Sequence, residues 1–252
     1  RSDYQKFNIE DHQLLKFNPR LIIGKINGYG ENSDRVAYDL ILQAESGFMS
    51  MNGSSSGPPI KMPVALIDVL SAHHLKEAIL LALFSREKTG KGRSLSVSLY
   101  DAALSSLANQ ASNYLMEQHI PERIGSLHPN IAPYGELFST KDGATITFAI
   151  GSNKHFEKLC QTIGLDELPK SEKFHSNQKR IIHRQELQKI IEEKISKMLS
   201  NELLHQLELQ NVPAGKIKNL KEVFKNKNAK HLILEETING KVTRRVKSKI
   251  FK

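Results

Sequence analysis

Asp68 is the residue in this sequence whose surroundings sit least easily with an ordinary role. It lies in Pro63-Val64-Ala65-Leu66-Ile67-Asp68-Val69-Leu70, an apolar stretch that opens a helix. A carboxylate in such a setting is costly unless it is paired or hydrogen-bonded. The positive end of the helix favours its ionised form, and an ionised carboxylate can serve as a covalent nucleophile. On these residues alone the plainer reading is favoured, a first-turn acid with a structural hydrogen bond. Tyr38-Asp39 is a second polar pair entering a helix, and Asp39 by itself is a routine first-turn acid. His73-His74 could suggest a metal site, but adjacent helical residues point about 100° apart. No Cys or carboxylate stands at ligand spacing around them, so no metal is expected. Gly28-x-Gly30 is half of a dinucleotide fingerprint, with the third glycine missing. No serine nucleophile elbow occurs. The single cysteine, Cys160, follows Phe156-Glu157-Lys158-Leu159 on a helix face and reads as a buried structural thiol.

The elements that must position these residues form an α/β pattern. A short helix over 9–17 ends before Pro19, because proline disfavours helix at the residue preceding it. Residues 21–26 form a strand whose near-continuous apolar start suits a buried parallel position. A loop over 28–33 leads to a helix over 36–47, and the Gly/Ser/Pro run 52–59 is a turn region. The long helix over 65–88 is apolar nearly all round, which predicts burial in the interior. Gly90 and the basic residues before it suit its C-terminus. A strand over 94–99 and a helix over 100–118 complete this half. Beyond Pro121 the chain changes character. A loop over 125–130 precedes a strand pair at 134–139 and 144–150 about the turn Lys141-Asp142-Gly143. Amphipathic helices follow at 153–164, 184–199 and 200–210, and Pro213-Ala214-Gly215 breaks the pattern. Asn239-Gly240 predicts a hairpin within 232–248.

Composition bounds the class. The 252 residues, 39% hydrophobic and 25% charged, are those of a soluble globular protein. No run approaches about 18 uninterrupted apolar residues, and no signal peptide is visible, so neither a membrane span nor export is expected. One cysteine allows no disulfide within the chain, which points to a reducing, cytoplasmic compartment. The net charge of +9 comes largely from 214–252. There the lysines are dispersed among Glu and Asn and are not interleaved with aromatics, so nucleic acid is not the expected partner.

The order of several short segments resembles the class III CoA-transferases, the formyl-CoA and carnitine-CoA transferase type. The carrying segments are Asn18-Pro19-Arg20-Leu21-Ile22 with Gly28-Tyr29-Gly30, then Tyr38-Asp39, Gly57-Pro58-Pro59 and Asp68. The most specific is Arg86-Glu87-Lys88-Thr89-Gly90-Lys91-Gly92, followed by Val97-Ser98-Leu99-Tyr100-Asp101-Ala102. His128-Pro129-Asn130-Ile131, Pro133-Tyr134 and Val212-Pro213-Ala214-Gly215 extend the match into the second half. The resemblance implies a Rossmann-like large domain with its N-terminal part missing, plus a smaller α+β domain, in an interlocked homodimer. On that pattern 1–120 is a large-domain segment carrying the nucleophile, 121–230 the small domain and 231–252 the start of the return to the large domain. Asp68 matches the family's nucleophile, which forms an aspartyl anhydride and then an aspartyl-CoA thioester. Asp39 matches an acidic residue that would position substrate carboxylates, with Tyr38 beside it as a hydrogen-bond donor. Lys6 and Phe7 match positions that contact CoA. Gly125, His128 and Asn130 fall where some members carry a glycine-rich substrate loop. Acyl-CoA and a carboxylic acid are the implied substrates, dicarboxylates such as succinate or glutarate among the acceptors, with no permanently bound cofactor.

Two departures bear on the chemistry. Ala72 stands where a glycine is usual four residues after the nucleophile, and only Gly125 remains of the glycine-rich loop. An α-methylacyl-CoA racemase is the nearest rival, but its histidine base would fall at Tyr38, and tyrosine, with a reference pKa of about 10, is a poor base at neutral pH. A non-catalytic CoA-binding protein is the alternative if the natural chain is truly this short.

Overall fold

The computed structural model describes Phe7, residues 9–248 and Ile250. The chain divides into two compact units between Gly125 and Ser126.

The first unit is built on a parallel strand pair. β1 (Ile22–Asn27) runs beside β2 (Arg93–Ser98), in register from Ile22 opposite Arg93 to Asn27 opposite Ser98. Parallel neighbours need a crossover connection, and α4 (Leu66–Thr89), which packs on both strands, is its principal element. α1 (Asp11–Phe17) precedes the pair. Asp11 fastens it there, accepting from Lys25 Nζ at 2.6 Å and from the Ser94 hydroxyl. These two donors, the Lys25 bond foremost, hold the Asp11 carboxyl below its ordinary range. α2 (Asp39–Glu45) and α3 (Phe48–Met51) lie within the crossover, and α5 (Leu99–Ser105) and α6 (Ala108–Glu117) follow β2. The single helix expected over 100–118 is thus interrupted between Ser105 and Ala108, and Ala108 adopts φ 49°. The small core of this unit gathers Leu42, Ile67 and Ala103, with Tyr29, Phe48 and Tyr100 packed against them.

The Arg86–Gly92 motif has a physical reason in this arrangement. Gly90 ends α4 in the left-handed region at φ 71°, its N–H bonding Arg86 O at 2.8 Å. Gly92 then passes so close to the start of β1 that its N–H reaches Pro19 O at 2.7 Å. A Cβ there would stand 1.8 Å from the Leu21 carbonyl oxygen. Arg86 Nη1 donates to Arg20 O at 3.2 Å, so both ends of the motif hold the α4 terminus to residues 19–21.

Two burial expectations are corrected. Interior burial of the whole of α4 is not found: only Ile67, Ser71 and Ala82 are fully buried, while Leu80, Leu81 and Phe84 are each more than half exposed. One face meets the strands, and no described residue covers the opposite one. For the same reason β1 is half-buried and not interior, with Ile26 exposed.

The second unit holds an antiparallel sheet in the order β3–β4–β5, formed by Tyr134–Ser139, Thr145–Ala149 and Ala214–Lys216. The segment read as a pattern break at 213–215 is therefore in part a strand. α7 (Asn153–Thr162), α8 (Asn177–Ile182), α9 (Arg184–Ile195) and α10 (Ser200–Leu209) supply helices to this unit. Phe138, Ile146 and Phe148 from the strands meet Phe156, Leu159, Ile191, Ile195 and Leu203 from the helices in one core. Cys160 is fully buried there, and burial pushes its thiol up to about 12, which leaves it inert. α11 (Leu220–Lys225) and α12 (Lys227–Lys230) lead to a hairpin of β6 (Ile233–Ile238) and β7 (Lys241–Val246). Its turn places Asn239 and Gly240 at φ 50° and 76°, as a two-residue turn of this hand requires.

Replacing Gly92 by alanine is expected to cost about 3 kcal/mol of stability, because the β1 backbone must move. Gly90→Ala, strained in φ but with open space at the Cβ position, is expected to cost nearer 1 kcal/mol. Urea denaturation of both variants checks the order, and equal costs would show that the close approach is not what Gly92 provides.

Candidate active site

The start of α4 lacks the side-chain cap that normally fixes a helix entry. Ala65 occupies the cap position and offers no acceptor, so the first free N–H groups need another partner. Asp39 supplies it from a different helix: its Oδ1 accepts from Ile67 N at 2.8 Å. The other oxygen, Oδ2, accepts from Gln43 Nε2 at 2.6 Å. Gln43 is 0% exposed, and its Oε1 accepts from Met62 N at 2.8 Å. One carboxylate and one amide therefore hold the backbone at two points before Asp68: at Ile67, its immediate predecessor, and at Met62, farther upstream.

Asp68 is the third residue of α4, and its side chain is exposed. No described group donates a hydrogen bond to it, in contrast to Asp11, Asp39 and Asp142, which each accept bonds from neighbouring groups. Its carboxyl is raised above the ordinary value, first by partial burial and then by the charge of Asp39. An unpartnered, slightly basic carboxylate at a helix N-terminus is suited to nucleophilic attack. The enclosed apolar setting expected from the sequence is only partly present, since the neighbours Val64 and Val69 are themselves about half exposed.

The structure brings Asp39 and Asp68 together. Tyr38 stands at the cap of α2 with its side chain 71% exposed and makes no hydrogen bond to either acid. Phe7 is 72% exposed, and Lys6 lies outside the described residues. Gly125, at φ 67°, closes the first unit, its N–H bonding Gly53 O at 2.8 Å. His128 and Asn130 belong to the second unit and occupy a firmly held loop. Arg184 Nη2 donates to His128 O at 2.9 Å and also to Ile131 O, while Asn177 Nδ2 donates to Asn130 O at 2.9 Å. Arg180, fully buried, donates to Ala132 O, Phe174 O and the Asn153 side chain. Burial, and then the Arg184 charge, push the His128 imidazole below its usual value.

Sequence reasoning missed Gln43 and the trio Asn177, Arg180 and Arg184. Gln43 had a visible signal, since it lies four residues after Asp39 and so on the same helix face. The trio had none, because its partners, most of them backbone carbonyls, are set by the tertiary fold and not by local spacing. A surface depression of about 640 Å³ in the second unit, lined by His205, Glu208 and Lys216 among others, shares no residue with these positions. Among the described residues no group of three or more His, Cys, Asp or Glu could hold a metal ion, and no helix is long and apolar enough to cross a membrane.

Known proteins resemble this chain along most of its length. The family model for CoA-transferase family III matches residues 2–248. A succinate–glutarate CoA-transferase of Agrobacterium fabrum is 35% identical over 227 residues, covering 89% of this chain and 56% of the relative. The human succinyl-CoA:glutarate CoA-transferase is 35% identical over 222 residues, covering 86% of this chain and 50% of that protein. The chain thus spans about half the length of the curated relatives it matches. Among solved structures, a CaiB/BaiF family protein from Brucella suis superposes with TM-score 0.79 at 33% identity, over 99% of this chain and 66% of that one. A protein of M. tuberculosis reaches 0.84 at 26% identity, over 99% and 67%.

The raised carboxyl of Asp68 has a sign that can be tested. A folded-state value above the ordinary one means that ionisation opposes folding. The stabilising contribution is complete below the ordinary value near 3.8 and is lost as pH rises through the raised one. Asp68→Asn, neutral throughout, is therefore expected to melt above the parent protein at pH 7, with the gap closing as the pH falls toward 3.8. Calorimetry across that range checks it, and a gap that widens on acidification would reverse the assignment.

Proposed function

This chain belongs to CoA-transferase family III, and from that premise we propose that it moves CoA between carboxylic acids through a covalent intermediate on Asp68. The observation that carries the reading is the state of Asp68: accessible, without a hydrogen-bond donor, raised in basicity, and fixed at a helix N-terminus by bonds made to its neighbours and not to itself. A carboxylate whose charge is not stabilised by donors is the better nucleophile.

The steps balance without a cofactor. The Asp68 carboxylate attacks the thioester carbonyl of the donor, the C–S bond breaks, and CoA departs as the thiolate, leaving a mixed anhydride of Asp68 and the donor acid. The thiolate attacks the aspartyl carbonyl, releasing the donor acid and leaving an aspartyl-CoA thioester. The carboxylate of the acceptor acid attacks that thioester, forming a second anhydride and freeing the thiolate again. Attack of the thiolate on the acceptor's acyl carbon yields the new acyl-CoA and regenerates Asp68. Each hard exchange is thereby split into easier covalent ones.

The relatives named above act on succinate and glutarate, and an acetyl-CoA:oxalate CoA-transferase of Acetobacter aceti is 32% identical over 220 residues. Short dicarboxylates are accordingly the acids proposed here. Phe7, with Lys6 before it, is assigned to CoA, and its exposure leaves it available to that ligand. Tyr38, also exposed, is assigned as a donor to the acyl or anhydride oxygen. Gly125, His128 and Asn130 are assigned to substrate contact. The held backbone around His128 and Asn130 supports a preset loop in place of a glycine-rich one. The parallel β1–β2 pair joined through α4 supports a Rossmann-like domain, and the antiparallel sheet with its helices supports a smaller α+β domain. An interlocked homodimer and a cytoplasmic location complete the proposal, the latter supported by the single, buried cysteine.

Incubation with succinyl-CoA is expected to add covalent mass to the peptide carrying Asp68. Asp68→Ala should abolish the adduct and lower transfer by at least about a thousandfold. An adduct on another residue, or deuterium wash-in at the acyl α-carbon without any acceptor acid, would overturn the transferase mechanism.

A further inference from the structure

We infer that Gln43 is a positioning residue that sets the register of the α4 entry and so aims Asp68. This rests on the proposed role of Asp68 as nucleophile. The residues before α4 carry little regular structure of their own: the run from Asn52 to Ala65 is turn and extended chain, and the cap position is an alanine. A helix entered this way can shift or fray by a residue, since nothing local fixes its first turn. Gln43 removes that freedom through both ends of one amide. Nε2 donates to Asp39 Oδ2 and Oε1 accepts from Met62 N, while Asp39 Oδ1 accepts from Ile67 N. The two anchored amides are five residues apart, with Pro63 between them, and the second lies next to Asp68.

Only one orientation of the amide works. Turned over, it would set its NH2 against the Met62 N–H and its oxygen against the Asp39 carboxylate, two repulsive contacts at a fully buried site. This role also accounts for an otherwise costly feature, a glutamine with no solvent contact. A glutamine placed only to fill space could be replaced by methionine or leucine at less cost. The charged groups bonded within this cluster, among the described residues, are Asp39 from α2 and Lys61, whose Nζ donates to Met62 O at 3.2 Å; Asp68 of α4 lies near enough to feel the Asp39 charge. None of them donates to the Gln43 oxygen in place of Met62.

Two variants test the role. Gln43→Met keeps the volume and loses both bonds. Amide exchange at Met62 and Ile67 is expected to rise at least about tenfold, and the rate of adduct formation on Asp68 to fall by about ten- to a hundredfold with KM for acyl-CoA little changed. Gln43→Glu keeps the shape, but the introduced carboxyl can donate to Asp39 only when protonated. Buried beside the Asp39 carboxylate, that carboxyl holds its proton well above the ordinary range, so activity should stay near the parent rate at neutral pH and fall toward that of Gln43→Met as the pH is raised and the proton is lost, a dependence that Gln43→Met lacks. Wild-type exchange at both amides in Gln43→Met, or wild-type rates and pH profiles in both variants, would overturn the inference. Absence of an Asp68 adduct in the parent protein would instead overturn the nucleophile assignment and leave the exchange result to judge Gln43 alone.

Discussion

The bond from Ile67 N to Asp39 Oδ1 is the contact on which the site depends. It does the work of a helix cap, but from another helix, so capping and tertiary packing become a single interaction. Asp39 is itself the first residue of α2. Its carboxylate therefore meets two helix starts, and the positive ends of both favour its charge. The charge that secures α4 also lies near enough to Asp68 to raise that carboxyl's basicity. Stability of the entry and basicity of the Asp68 side chain are thus linked through one carboxylate, whose charge adds to the larger effect of partial burial.

Much of the first unit could be read from residues. Pro19, Gly90 and the apolar run at 21–26 placed the first strand and the end of the long helix within a residue or two, because each acts through the local backbone. The hairpin at Asn239-Gly240 was legible for the same reason. What escaped depends on partners remote in sequence. β5 is three residues long and exists by pairing with β4 on one side, so Pro213-Ala214-Gly215 looked like a break. The division of 100–118 into two helices turns on Ala108 at a positive φ, which no glycine announced.

The site was legible to a different degree. Asp68 and Asp39 could be singled out by type and setting, and the structure places them in electrostatic contact. The residues alone favoured a structural role for Asp68 and a routine one for Asp39. In the structure it is Asp39 that carries the structural hydrogen bonds, while Asp68 accepts none from the described residues. The interior burial expected of the long helix is incomplete at Asp68, because apolar neighbours in sequence do not guarantee cover in space. The exposed Leu80, Leu81 and Phe84 on the same helix make the same point.

That exposure bears on reactivity. A nucleophilic carboxylate must be ionised at the working pH yet weakly stabilised as an anion. Deep burial would achieve the second at the expense of the first, since a fully desolvated acid holds its proton far above neutrality. Donors around it would achieve the first at the expense of the second. Asp68 avoids both extremes: solvent and the α4 terminus keep its charge tolerable, while Asp39 and partial burial keep it from being comfortable. The hydrogen bonds at the α4 entry are made to the backbone at Met62 and Ile67 and not to the Asp68 carboxylate, so anchoring the entry adds no donor to that carboxylate. Main-chain anchoring is, on this physical ground, compatible with the covalent role proposed for Asp68.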